Sequence, residues 1–215
     1  AAPRPQVLVD ILQGRTPELY EALRGMVEHF VVCGSVWMFG RPRIVPTPPE
    51  TQTPCPFEGY ARRYEQMLAT RERAAAEGVA FTAAMPTNIC GPYKIPLDTK
   101  GGRSLEAHQA LQRGEPVVLP DPGNNLIGPC DAEDIARVFA CAIANRDAAA
   151  GQIFNAGAAY ALTALEFVAT YGDIYGVELP VELVSWERYA TEFVPEIGAN
   201  WHFQAHMCPD IAQTR

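Results

Sequence analysis

Short apolar runs alternate with stretches of helical periodicity from one end of the chain to the other. Val7-Leu-Val-Asp-Ile-Leu12 and His29-Phe-Val-Val-Cys33 read as strands, as do Val79–Met85, Val117–Leu119 and Gln152-Ile-Phe-Asn155. Helices are predicted between them. The first opens at Thr16-Pro17-Glu18, which offers an N-cap, a first-turn proline and an early acid, and Gly25 closes it. The longest runs from Gly59 to Gly78 and is rich in Ala, Arg and Glu. Others cover about 103–113, Asp131 to Asn145, and a segment that Thr163 caps and that reaches Tyr175. Near-continuous apolar strands alternating with helices predict parallel α/β layering, because a strand covered on both faces has no polar side. The prolines at 42, 46, 48, 49, 54 and 56 exclude regular structure from that stretch.

Composition narrows the class. The chain has 215 residues, 48% hydrophobic and 20% charged, which suits a soluble globular protein and excludes a disordered tail or a disulfide-stapled miniprotein. No apolar run approaches the ~18–20 residues of a spanning helix, and the N-terminus lacks a signal-peptide core, so no membrane partner is expected. A net charge of −8 repels phosphodiesters, so no nucleic-acid partner is expected either. The cysteines at 33, 55, 90, 130, 141 and 208 form no Cys-x-x-Cys pair, and several sit in apolar runs. Reduced thiols and a cytoplasmic setting follow as expectations. Of 17 basic residues only Lys94 and Lys100 are lysines.

Candidate chemistry concentrates between Cys33 and Tyr64. In an open parallel sheet the carboxyl ends of the strands line the ligand crevice. Ser35 follows such an end, and Tyr60 opens the longest helix, so the two hydroxyls can converge on one substrate oxygen as a hydrogen-bond donor and a general acid/base. On spacing alone, Ser35 reads rather as a turn residue and Tyr60 as a helix-surface residue. His202, His206 and Cys208 have helical metal-ligand spacing but no fourth ligand, so no metal site is expected. Glu133 and Asp134 read as a helix N-terminal cap, and Trp37, Trp186 and Trp201 as core or cleft-wall residues.

Cys33-Gly-Ser-Val-Trp-Met-Phe-Gly40 resembles the Ser-Ser-Ser/Thr-x-x-Val-Tyr-Gly strand end of the extended short-chain dehydrogenase/reductases, the NAD-dependent epimerase/dehydratase family. Glu58-Gly-Tyr-Ala-Arg-Arg63 is similar to the start of that family's Tyr-x-x-x-Lys helix, and the 25 residues between Ser35 and Tyr60 suit it. Met85-Pro-Thr-Asn-Ile-Cys-Gly-Pro92, Asp131-Ala-Glu-Asp-Ile-Ala136 and Gly151-Gln-Ile-Phe-Asn-Ala-Gly157 resemble later family motifs in the same order. The resemblance implies a Rossmann-like doubly wound parallel sheet, incomplete at the N-terminus, with a smaller C-terminal substrate-binding region. Residues 1–100 would form the partial nucleotide-binding domain and 101–215 mainly the substrate region, with 131–160 returning to the sheet. It further implies catalytic Ser35 and Tyr60, cofactor contacts from Tyr64, Pro86 and Asn88, and substrate contacts from Asn88 and Trp37. The implied cofactor is NAD or NADP, the implied substrate a nucleotide sugar or related hydroxylated compound, and the implied assembly a homodimer. Hydride would pass between the substrate carbon and the nicotinamide.

Departures from the family pattern carry information too. Tyr64 stands at the lysine position, so the ammonium that activates the family tyrosine is missing and Tyr60 is expected to be a poor base at neutral pH. Arg62 or Arg63 can approach, but positions two and three along a helix point elsewhere than position four. Met85 replaces an arginine, and Cys90 a tyrosine. None of the 17 glycines forms the Gly-x-x-Gly-x-x-Gly turn that cradles a dinucleotide pyrophosphate. At ~30 residues per βαβ unit, about 60 residues of a family member's first half have no counterpart here. A non-catalytic nucleotide-sensing or protein-binding module with a degenerate site is the alternative. A third reading is a fragment whose strand at 29–33 forms an apolar sheet edge that dimerises.

Overall fold

A computed structural model describes residues 6–11 and 14–214. Along the chain run β1 (Val7–Asp10), α1 (Thr16–Leu23), β2 (His29–Cys33), a 3-10 turn (Val36–Phe39), α2 (Glu58–Ala76), β3 (Ala80–Pro86) and β4 (Asn88–Cys90). There follow α3 (Leu105–Gln112), β5 (Val117–Pro120), β6 (Leu126–Ile127), β7 (Pro129–Asp131), α4 (Ala132–Ala144), α5 (Arg146–Ala149) and β8 (Ile153–Ala156). The last elements are β9 (Leu162–Thr163), α6 (Ala164–Tyr175), β10 (Val181–Val184), α7 (Trp186–Arg188), a π-helical turn (Tyr189–Phe193) and α8 (Ile197–Gln204). They form two compact units. One holds the described residues up to Thr87, Ala132–Gly157 and the residues from Pro209 onward; the other holds Asn88–Asp131 and Ala158–Cys208.

The first unit is built on a parallel sheet of order β1-β2-β3-β8. All five residues of β2 are buried, because β1 and β3 flank it and helices cover it, which is why its sequence lacks polar alternation. The expected apolar edge at 29–33 is therefore an interior strand. The edge on that side is β1, where Val9 is exposed, as is Ile11 just after it; Leu12, expected in the same strand, lies outside the described residues. α2 packs on β3 and against α1, while α4 packs on β2, β3 and β8. Thr16 is not the N-cap of α1. Arg15 holds that position, and the Thr16 hydroxyl donates to the buried Asp10 carboxylate at 2.7 Å, since a carboxylate withdrawn from water needs donors.

Two of the buried histidines, His29 and His202, have their pKa lowered by burial. In β2, His29 lies 2.9 Å from the Thr82 hydroxyl through Nε2, and that hydroxyl donates its only proton to the Ala149 carbonyl at 2.8 Å. Nε2 therefore carries the hydrogen, and Nδ1 is the unprotonated nitrogen. Burial, helped by the Arg146 charge, lowers the His29 pKa.

The second unit pairs β5 with β10 and β4 with β7 in parallel, and β6 with β9 antiparallel. Its core gathers Leu119, Ile127, Val168, Tyr189 and Phe203. Asp98, 1% exposed, accepts from the backbone N–H groups of Lys100, Gly102 and Ser104 at 2.8–3.0 Å, which fixes the glycine-rich loop before α3. On α8, burial lowers the His202 pKa to about 4, with Arg103 adding to the effect and Asp98 opposing it. The Nδ1 of His206 accepts the Leu126 N–H at 3.1 Å. No group of three or more His, Cys, Asp or Glu side chains suited to a metal ion occurs among the described residues.

Both depressed histidines make the unfolded chain bind more protons than the folded one below the ordinary histidine pKa of 6.5. Stability is thus complete above that pH and falls as pH drops toward about 4. Urea midpoints between pH 7.5 and 4.5 are expected to decline, His202 accounting for about 3 kcal/mol at the acid end. His202→Gln should flatten the decline, and an unchanged slope in that variant would refute the assignment.

Candidate active site

Ser35 lies immediately beyond β2. The ladder extends one residue past the strand, with Gly34 N–H donating to the Ala84 carbonyl at 2.8 Å. Ser35 is extended (φ −160°, ψ 142°) and caps the following 3-10 turn, its Oγ accepting the Trp37 N–H at 3.3 Å. A serine that caps through a lone pair keeps its own proton available to a ligand oxygen. Gly40 ends the turn at φ +74°, where a Cβ would fall 2.2 Å from the Thr53 carbonyl oxygen, so the loop lies directly on the turn there. Met67, Thr70 and Ala74 are the buried residues of α2. Tyr60 and Tyr64 prolong that stripe toward the helix start at helical spacing, each half-buried.

Two rings hold Tyr60. Its centroid is 5.7 Å from that of Trp37 and 6.2 Å from that of Phe57, and Trp37 and Phe57 are 5.1 Å apart. Cys55 closes the group from below, donating its thiol hydrogen to the Trp37 carbonyl at 3.2 Å, and burial raises its pKa. Such a thiol packs rather than reacts. The turn that Ser35 caps and the helix that Tyr60 opens are thus joined through Trp37. Phe57 and Cys55 were missed from sequence, since nothing marks one aromatic or one thiol in a proline-rich stretch.

At the lysine position, Tyr64 sits edge-on to the buried Phe39 with centroids 5.7 Å apart. Arg63 approaches Tyr60, its guanidinium carbon lying 5.8 Å from the ring centroid. Residues three apart share a helix face, so the approach is natural, yet the cation meets the ring rather than the hydroxyl. Pro86 is the last residue of β3, buried and in register with Ala156 of β8. Asn88 opens β4 in the second unit, 8% exposed, and its Nδ2 is a buried donor without a hydrogen-bond partner. A native donor in that state is a place to look for a ligand acceptor. Glu133 and Asp134 stand in the first turn of α4 and pair with Arg137 at 2.7 and 2.8 Å. A cavity of about 950 Å³ in the first unit lies at the amino ends of the strands, lined by Gln6, Glu28, Ala80 and Gly151. That is the opposite end of the sheet from Ser35.

The fold is shared with proteins of known structure. The chain is similar to a UDP-N-acetylglucosamine 4-epimerase from Methanobrevibacter ruminantium, in complex with UDP-N-acetylmuramic acid, at 17% identity and TM-score 0.68, with 92% of this chain and 59% of that one aligned. It is similar to a double mutant of the dTDP-glucose 4,6-dehydratase of Streptomyces venezuelae, with NAD and DAU bound, at 18% identity and TM-score 0.66, covering 93% of this chain and 56% of that one. A UDP-glucose 4-epimerase from Thermotoga maritima, with UDP-glucose, aligns at 19% identity and TM-score 0.58 over 91% and 63%. The chain therefore spans about three fifths of the length of these structures. No curated protein matches it. The likeness establishes the Rossmann-like fold, and the sequence itself matches one family from residue 4 to 157. The chain belongs to the NAD dependent epimerase/dehydratase family.

Proposed function

We propose that this chain supplies the substrate-oxygen chemistry and part of the sugar-nucleotide site of an NAD(P)-dependent epimerase or dehydratase. The observation that carries this reading is Ser35, locked by the Trp37 N–H with its proton free to donate, on the same turn whose Trp37 ring holds Tyr60. In this reading Tyr60 exchanges a proton with a substrate hydroxyl while Ser35 donates to the same oxygen and stabilises the charge that develops there. Trp37 offers an apolar face to the sugar. The unpartnered Nδ2 of Asn88 suits a diphosphate oxygen, the role the family resemblance gives it.

The residues present do not fit a whole dinucleotide. No glycine-rich turn occurs among the 17 glycines, and position 64 offers a phenol against Phe39 in place of an ammonium. Pro86 and the Tyr64 hydroxyl could border a nicotinamide ribose, but no glycine-rich turn among the described residues cradles a pyrophosphate. The same contact between Tyr64 and Phe39 favours a second reading, in which the scaffold binds a nucleotide sugar without turning it over. The six free cysteines support a reducing, cytoplasmic compartment. Val9, exposed on the edge strand, and Ile11, exposed just after it, support a homodimer; light scattering showing only monomer would overturn that part.

Calorimetry with UDP- and dTDP-hexoses tests the binding reading. Asn88→Ala is expected to weaken affinity about tenfold or more by deleting a buried donor to a charged group. Absence of binding by the wild type at millimolar ligand would sink the proposal. With added NAD+, Tyr60→Phe should bind like the wild type while turnover falls by roughly 10²–10⁴. Equal turnover by both proteins would leave Tyr60 no catalytic role and favour the second reading.

A further inference from the structure

Asn155, at the carboxyl end of β8, is 2% exposed and uses both protons of its side-chain amide. Nδ2 donates to the Thr47 carbonyl at 2.8 Å and to the Asp210 carbonyl at 3.0 Å. Two carbonyls can be satisfied only by the amide nitrogen, so the orientation of the group is settled chemically. Its Oδ1 is buried without a hydrogen-bond partner, which leaves the donor side as the reason for an asparagine at this place.

Thr47 is the midpoint of the proline-rich loop between the Ser35 turn and the Tyr60 helix, and Asp210 belongs to the segment after α8. These two segments also hold each other. Asp210 N–H donates to the Thr47 carbonyl at 2.8 Å, and Thr47 forms a parallel bridge with Pro209. The Thr214 hydroxyl returns to the backbone carbonyl of Asn155 at 3.1 Å. From Thr47 the loop runs straight into the site. Gln52 N–H donates to the Phe39 carbonyl at 2.9 Å, the Thr53 hydroxyl accepts from the Arg41 N–H at 2.6 Å, and Phe57 stacks on Trp37. Both arms of the loop are thus stitched to the turn that Ser35 caps, and its middle is held by one side chain of the sheet.

We propose that Asn155 is a positioning residue that fastens the 41–57 loop and the 209–214 segment into a single clasp, so that the two open together and set the placement of Tyr60. That the placement matters for chemistry rests on the reading of Ser35 and Tyr60 given above. The clasp itself does not, and its test reads conformation alone. Asn155→Asp keeps the shape but turns a donor into an acceptor facing two carbonyls. Amide hydrogen exchange in peptides from 41–57 and from 209–214 is expected to accelerate together, by about tenfold or more, with β3 still protected. In protein carrying 3-fluorotyrosine, the Tyr60 fluorine signal, assigned by its loss in Tyr60→Phe, should shift. Thr214→Val removes the hydroxyl that ties the segment to Asn155 and that also reaches the Ile211 carbonyl at 3.2 Å; acceleration of 41–57 together with 209–214 in this variant, in smaller measure, decides the matter if Asn155→Asp does not fold. Acceleration of one segment without the other, an unmoved Tyr60 signal, or equal acceleration in β3 would overturn the proposal.

Discussion

Parallel pairing of β2 between β1 and β3 is the constraint on which the rest of the first unit hangs. A strand buried on both faces must be apolar along its whole length, and His-Phe-Val-Val-Cys tolerates a histidine only because Thr82 takes its Nε2 hydrogen. That bond sits at the amino end of the strand, and the Gly34-to-Ala84 bond continues the ladder at the other. Between them the register is fixed. Ser35 is then delivered to the carboxyl end of the sheet, where parallel strands place their ligand-facing residues. Everything nearer the substrate follows from it: the serine caps the turn, the turn presents Trp37, and Trp37 meets Tyr60.

The exchange of a lysine for Tyr64 shows how one position redirects a site without disturbing its scaffold. A tyrosine at that point completes the apolar stripe of α2 against Phe39, so it is gained as packing where it is lost as charge. Arg63 restores a cation near Tyr60, but over the ring. A charge over the face of an aromatic ring interacts with the quadrupole and steadies the ring. It does not place positive charge beside the phenolic oxygen, where proton transfer would feel it. Position, more than the count of basic residues, decides what an added charge does.

Polar groups buried in the two units divide into those that are answered and those that are not. Asp98 accepts three backbone N–H groups, and His108 meets the Tyr175 hydroxyl and the Pro96 carbonyl. These hold loops to helices. Asn88 Nδ2, the first residue of β4, and Asn155 Oδ1, inside β8, are among those not answered. An unanswered donor such as Asn88 Nδ2 is the kind of group a ligand acceptor can satisfy.

Strands β2, β3 and β5 and helices α2, α4 and α6 were legible from apolar periodicity, caps and glycines, because those signals are local. Ser35 and Tyr60 were legible as a pair only through motif order. The short strands β4, β6, β7 and β9 were not, since two or three residues carry no period, and their pairing comes from distant segments. The place of Thr16, the interior position of β2 and the reach of Arg63 to Tyr60 likewise needed coordinates. In each case a partner remote in sequence, or a rotamer on a helix face, decides between options of similar local energy. By itself the sequence determined the α/β layering, the family and the missing lysine. Only the tertiary structure decided that Trp37, Phe57 and Cys55 frame Tyr60 and that Asn155 ties the loop to the final segment, because both depend on which side chains meet once non-local strands are paired.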